Sequence, residues 1–498
     1  MALDPQYAGS GGGLYPASSQ SQIPGPVGAN KLEGVPAASN VGVDATLQLR
    51  TPGLQFPVSG DGNTSAGQLI CDWQTGGTLS LISTNGGAEA IALDPAVTCD
   101  GLPMARITQG ASGTFIADFL FTSPVYLAQM QSLQIPVRFD SNSAAAWVGT
   151  SNALQLWIWD DSTGTRQWRL NASLRALDAT ELRSGATHVI SAAPGANAQG
   201  WAFGGTSAPT NTTDMDAYSI ARVRLVVANA VSGAQAWVGG IRANARRAAG
   251  ISIVLDGQYA SQQQYILPML EAQGLRCSLA IQGNQIGAGG RMTLAQLNRA
   301  YAAGHEILGW GYDPKTSAGY QNASDWPDQA AISADIAANR ALMAANGWTR
   351  GMDYAVHGGS ANSYNASVSA ARQSMITAAF QANGVKAIRR GAWVQGVQDR
   401  LQSVARPAAV DPYTVCGAIQ WTSTHTSADL IAVTTRAKSR GEWGIVTGHR
   451  SVVSAPGSLE MLNSDLLTWA QSLGDDVRSG RVLCLPFGEA CRYYGITT

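Results

Sequence analysis

The stretch Gly304-His305-Glu306-Ile307-Leu308-Gly309-Trp310-Gly311-Tyr312-Asp313-Pro314 decides how the C-terminal half of this 498-residue chain is read. It follows Met292 to Ala303, a run with helical character that Gly304 stops. His305 then falls on a helix-to-strand turn.

The same rhythm extends outward in both directions. Gly250-Ile251-Ser252-Ile253-Val254-Leu255 reads as a buried strand. Tyr265 to Gly274 reads as a helix ending at a glycine, and Cys277-Ser278-Leu279-Ala280-Ile281 as a second strand. Helical runs at 329–346, 366–384 and 427–440 precede short apolar runs at 353–356, 386–389 and 443–447. Such alternation predicts parallel βαβ units and a barrel-like α/β fold over 248–498.

Five segments of this half, in chain order, resemble the motifs of the polysaccharide deacetylase (NodB-like, carbohydrate esterase family 4) domain. Ile253-Val254-Leu255-Asp256-Gly257 stands where the family carries an Asp-Asp-Gly strand end. Leu267 to Ile281 is similar to the helix and strand that follow, and the Gly304 segment to the second motif. Tyr354-Ala355-Val356-His357-Gly358-Gly359 looks like the third motif, and Gly444-Ile445-Val446-Thr447-Gly448-His449 like the last. The resemblance implies a distorted (β/α) barrel. In that family a divalent metal, held by one Asp and two His, lowers the pKa of a water that attacks an acetamide, and a His protonates the amine that leaves.

Carried over position by position, much of that chemistry is missing. The base position is Leu255, and the two metal His positions are Trp310 and Pro314. Asp256 keeps the metal carboxylate position and His449 the general-acid position, so these two are the candidate catalytic residues. One carboxylate does not hold a catalytic ion, which needs about three protein ligands. No metal or other cofactor is therefore expected, unless Asp256, Asp313, His357 and His449 rebuild a set at the barrel mouth. Trp310, Tyr312, His357 and Trp393 are the candidate glycan-binding residues, since flat rings stack on the apolar faces of sugars. Each has a plainer reading too: Asp256 as a turn cap, and His357 and His449 as hydrogen-bonded rim residues.

The N-terminal half reads differently. Residues 1–66 are broken by Gly9-Ser10-Gly11-Gly12-Gly13 and Ile23-Pro24-Gly25-Pro26, and carry too few large apolar residues for a core. They read as an extended attachment arm, or more plainly as a loose tail. From 67 to 247, short β-branched and aromatic runs at 79–83, 113–121, 154–159 and 220–227 predict a jelly-roll-like β-sandwich. Trp157 and Trp159 share one face of a strand. Their size favours the core, and an exposed sugar platform is the alternative.

Composition narrows the function. Charged residues make up 13% of the chain and the net charge is −1, which gives no electrostatic case for nucleic acid. No apolar run reaches the roughly 18 residues of a membrane-spanning helix. Met1 to Ser10 lacks the basic start and apolar core of a secretory signal. The six cysteines show no metal spacing; Cys71 with Cys99 or Cys484 with Cys491 could pair, and buried free thiols fit better. A glycan-directed domain without an export signal suits a phage particle assembled in the host cytoplasm. The expectation is a homo-oligomeric virion protein of tail, fibre or spike type. Its arm would bind other tail subunits and its barrel would face host surface polysaccharide. An active deacetylase with a rearranged site and a non-viral carbohydrate-binding surface protein are the alternatives.

Overall fold

A computed structural model describes residues 67–83, 89–110, 114–127, 132–139, 154–159, 167–170, 185, 187–194, 200–203, 218–228, 232–245, 247–315, 319–356, 369–390, 401, 404 and 410–496. The expected arm, His357 and Trp393 lie outside the described residues.

Up to residue 243 the described chain is strand after strand. These are β1 (Gln68–Cys71), β2 (Gly77–Ser83), β3 (Ala90–Cys99), β4 (Leu102–Thr108), β5 (Thr114–Leu127), β6 (Leu133–Phe139) and β7 (Leu154–Trp159). There follow β8 (Gln167–Leu170), β9 (Thr187–Pro194), β10 (Gly200–Phe203), β11 (Tyr218–Ala228), β12 (Gln235–Val238) and β13 (Ile241–Ala243). They form one 13-stranded sheet along the path β2-β5-β11-β7-β8-β10-β9-β6-β12-β4-β3, with β13 on β6 and β1 on β13. The pairing is antiparallel except between β9 and β10. Inward residues from both ends of the path, among them Ile107, Phe119, Ile135, Val137, Ile158 and Val223, belong to one core cluster. Each such side chain taken out of water contributes about 1.5–3 kcal/mol.

Trp157 and Trp159 are not in that core. Leu156 and Ile158 point into it, so the period of two puts both indoles on the opposite face. There they stack at 6.4 Å, and the Arg222 and Arg224 guanidiniums lie 5.0 and 4.7 Å from the Trp159 ring. Asp118 holds Arg224 at 2.6 Å and Arg222 at 3.4 Å. The core reading holds for Trp159, which is 8% exposed, although the face that buries it is the one opposite that cluster; Trp157 is half-buried.

Beyond residue 249 the rhythm changes. The strands are β14 (Gly250–Asp256), β15 (Ser278–Ile281), β16 (Glu306–Gly309), β17 (Tyr354–Val356), β18 (Ala387–Arg390), β19 (Val415–Cys416), β20 (Ile419–Gln420) and β21 (Trp443–Gly448). A separate parallel pair, β22 (Arg450–Val452) with β23 (Glu460–Leu462), precedes the short β24 (Leu483–Cys484). Between and after them run α1 (Leu267–Ala272), α2 (Leu294–Ala302), α3 (Gln329–Ala345), α4 (Ala370–Ala382), α5 (Ser427–Arg440), α6 (Asn463–Arg478) and α7 (Phe487–Tyr494). Local chemistry sets their ends. Thr293 with Gln296 and Thr426 with Asp429 form capping boxes, and Gly441 closes α5 in the left-handed region at φ 62°. Ahead of α1 the backbone widens into a π-helical turn at Gln262–Ile266, where the sequence reads as one regular helix.

All these strands pair in parallel, in the order β19-β18-β17-β16-β15-β14-β21-β20, with β24 also on β14. β14 is buried along its whole length, as a strand covered on both faces must be. The two edge strands are consecutive in sequence, separated only by Gly417 and Ala418. Laid flat, eight strands would hold those edges roughly 34 Å apart. Three Cα steps reach at most about 11 Å. The sheet therefore curls into a barrel-like form, and every strand delivers its C-terminal end to one rim.

The five cysteines with described side chains, Cys71, Cys99, Cys277, Cys484 and Cys491, are buried free thiols. Burial pushes the Cys484 thiol up to about 12.

Candidate functional site

Asp256 ends β14 at the rim and is 6% exposed. Its carboxylate meets the guanidinium of Arg389, which rises from β18 and is 1% exposed. One Arg389 nitrogen, Nη2, lies 2.5 and 2.6 Å from the two carboxylate oxygens. The turn-cap reading of Asp256 is thereby replaced by a buried ion pair tying β14 to β18. Leu255, the residue before it, is 0% exposed and offers no donor.

Gly257 follows in the left-handed region, at φ +88°. A Cβ there would stand 2.7 Å from the Tyr259 ring, 2.8 Å from Arg291 Nη1 and 3.3 Å from the Trp310 ring, so only glycine fits. Three side chains from separate loops thus converge above the strand end. Arg291 donates to the Gly257 carbonyl and lies 4.1 Å from the Tyr259 ring centroid. Arg450 approaches the same ring at 5.2 Å.

His449 follows β21 directly, with its ring 6.4 Å from that of Tyr259. Its carbonyl accepts from Gln262 Nε2, which also donates to the Asp256 carbonyl. Burial holds the imidazole below its usual pKa; Asp256 opposes this, and Arg389, Arg450 and Arg291 reinforce it. At neutral pH the ring is therefore uncharged and presents one donor and one acceptor. Gly448 lets the strand reach this rim, because a Cβ there would fall 1.9 Å from the Trp421 ring.

Trp310 is 9% exposed, and its buried Nε1 has no hydrogen-bond partner. The open face expected of a stacking platform is therefore largely covered. Tyr312 is 37% exposed and packs over Gly283 on the outer rim. Its loop is fixed by Asp335 of α3, which accepts from the backbone N–H groups of Tyr312 and Asp313 and from the Tyr320 hydroxyl. The Asp313 carboxylate accepts from the Lys315 N–H, and Pro314 is exposed.

The described residues do not fit a divalent metal. The Asp256 carboxylate is occupied by a guanidinium, and neither Leu255 nor Trp310 beside it offers a metal donor. Among the described residues, no three His, Cys, Asp or Glu side chains group as metal ligands would.

A second constellation has the look of a nucleophile and not its setting. Cys277 Sγ lies 3.2 Å from His305 Nδ1, and His305 Nε2 3.2 Å from Glu271. Cys277 and His305 are each 0% exposed and precede β15 and β16, at the end of the barrel away from the rim. Burial drives the thiol well above its usual pKa, so no thiolate is available. His305 is a structural tie: its Nδ1 accepts from the Cys277 N–H.

No protein-family model matches this chain, and no curated protein matches it. Solved structures do. It is similar to a family 4 carbohydrate esterase from Streptomyces lividans in complex with acetate, at 12% identity and TM-score 0.28, over 47% of this chain and 91% of that one. It is similar to the catalytic domain of a peptidoglycan N-acetylglucosamine deacetylase from Eubacterium rectale, at 10% identity and TM-score 0.29, over 48% and 89%. A family 11 carbohydrate-binding module from Clostridium thermocellum, in complex with a mixed-linked tetrasaccharide, matches at 9% identity and TM-score 0.24, over 36% and 96%.

Proposed function

We propose that this protein binds glycan at the barrel rim and has exchanged the metal chemistry of a deacetylase-like site for a buried ion pair. The Asp256–Arg389 contact carries the reading. A carboxylate with both oxygens against one guanidinium is charge-compensated without a metal, and displacing that guanidinium would strand two buried charges. Leu255 in the base position points the same way. The rim remains furnished for a sugar, with the neutral His449, the Arg291 guanidinium and the exposed Tyr312 ring.

The wider role follows from the sequence. We read the chain as a virion protein of tail, fibre or spike type, homo-oligomeric, with residues 1–66 as the arm that engages other tail subunits. The sheet of β1–β13 would be a sandwich folded about its shared core, supporting a barrel that meets host surface polysaccharide.

Three measurements test this reading. Elemental analysis of purified protein is expected to find no stoichiometric divalent metal, and acetylated glycans are expected to release no acetate. Glycan-array binding is expected, weakened by Tyr312→Ala. Acetate release dependent on bound metal would refute the proposal, as would the absence of any glycan ligand. Copurification with virions at fixed stoichiometry tests the particle assignment.

A further inference from the structure

Among the described residues, the cluster around Tyr259 and His449 holds more guanidinium than carboxylate. Arg291, Arg389 and Arg450 converge on Tyr259 and His449. Two carboxylates answer them: Asp256 on Arg389, and Glu460 at 3.2 Å from Arg450. Three against two leaves one formal positive charge, in a chain whose net charge is −1. The surplus can be assigned to a residue. Arg291 is half-buried, lies on the Tyr259 ring and spends a donor on the Gly257 carbonyl, and among the described residues no carboxylate pairs with it.

A half-buried arginine in that state holds unused donors. Its guanidinium has five N–H groups in a planar fork that matches a carboxylate. The tyrosine face beneath it removes water from one side without supplying negative charge beyond the ring quadrupole. Beside it, the Trp310 ring edge approaches the same Gly257 within 3.3 Å of the position a Cβ would take. The Trp310 atom in question is Cζ3 of the six-membered ring, so the indole walls Gly257 with an apolar edge and leaves Arg291 as the donor beside it.

We infer that the glycan taken at this rim is acidic, a carboxylate-bearing saccharide such as a uronate, with Arg291 as the residue that recognises its charge. The inference rests on the glycan-binding reading above and adds the ligand's chemical class. The carboxylate occupies the free side of the Arg291 fork, and ring hydroxyls face His449. Arg389 cannot serve instead, because its charge is committed to Asp256.

The test is a glycan array carrying oligogalacturonate, its methyl ester, neutral oligosaccharides and a phosphodiester-linked polysaccharide, followed by calorimetry on the hits. The uronate is expected to bind at least tenfold more tightly than its ester, with affinity falling as salt rises. Arg291→Gln is expected to remove most of that preference, weakening the acid about tenfold more than neutral sugars, whereas Arg291→Lys keeps part of it. An unchanged melting temperature in both variants separates recognition from folding. If neutral and esterified sugars bind as well as acids, or Arg291→Gln weakens all of them equally, the acidic assignment is overturned and glycan binding stands. If only the phosphodiester polymer binds, the carboxylate assignment is wrong. If nothing on the array binds, both the assignment and the glycan-binding reading fail.

Discussion

Replacing Arg389 by Met, which keeps the length of the stem and removes the charge, strands the Asp256 carboxylate inside the barrel mouth. The two residues are 1% and 6% exposed, so water screens their interaction little. An exposed pair would contribute at most about 1 kcal/mol, whereas breaking a buried pair by removing one partner costs about 3–5 kcal/mol. Asp256→Leu, which strands the guanidinium, is expected to cost a similar amount. The double variant should cost far less than the sum, because an apolar pair leaves no buried charge. A coupling energy of about 3 kcal/mol or more is thus expected from the cycle. Because the chain holds two differently built sheets, one global transition is not a safe measure of stability. Urea titrations read by hydrogen-exchange mass spectrometry on peptides from β14, β18 and β21 report the parallel sheet itself. Single-variant costs below about 1 kcal/mol, or additive ones, would refute the claim that this guanidinium is the structural counter-ion of Asp256.

Two further outcomes follow from groups close to that sheet. Glu306 begins β16 and is 1% exposed, and burial raises its carboxyl to about 7, although the Gly488 N–H and Ser278 hydroxyl pull it down. A folded-state pKa above the unfolded value means that stability is fully present below about pH 4.5 and is lost as pH rises through 7, by up to about 3 kcal/mol. Glu306→Gln should flatten that slope in thermal melts between pH 5 and 8, and an unchanged slope would show that another group sets it. Gly257→Ala should cost roughly 1–3 kcal/mol, since φ is +88° and the new methyl would press on Tyr259 and Arg291. Because those side chains form the proposed subsite, glycan affinity measured by calorimetry should fall with it, and full retention of both stability and binding would place the subsite elsewhere.

The α/β half was legible because two periods alternate cleanly there. The strand read at 443–447 is β21, Trp443–Gly448, and the helix read at 427–440 is α5, Ser427–Arg440. Apolar runs buried on both faces and glycine-stopped helices are local signals that tertiary context seldom reverses. The antiparallel half gave up its strands and hid their sidedness. Period two puts Trp157 and Trp159 together but cannot name the face, which β11 settles by setting Arg222 and Arg224 opposite them. At the rim, Asp256 and His449 stood out by position, while Arg389, Arg291 and Tyr259 did not. One signal for Arg389 was available. A cation in the short apolar run Ala387-Ile388-Arg389 is costly inside a sheet unless an acid meets it, and Asp256 was an acid in want of a partner. Arg291 sits in a loop whose approach to Gly257 depends on an isolated bridge between Tyr259 and Arg291, which no periodicity encodes.

The burial of the Asp256 carboxylate at the strand end is a question of charge balance. Asp256 without a counter-ion would be a buried charge costing several kcal/mol, and the cheapest local remedy would be a neutral side chain. The chain instead sets Arg389 against the acid, which ties β14 to β18 across the mouth. A guanidinium carries one positive charge against the two of a divalent ion, and Asp256 consumes it fully. The field that an incoming ligand meets is then written by the residues around the pair. Of these, Arg450 is answered by Glu460 and Arg291 by no carboxylate among the described residues. With Asp256 already compensated by Arg389, a carboxylate-bearing ligand at Arg291 would meet a guanidinium that no described carboxylate neutralises, which is the charge pattern the proposed acidic glycan requires.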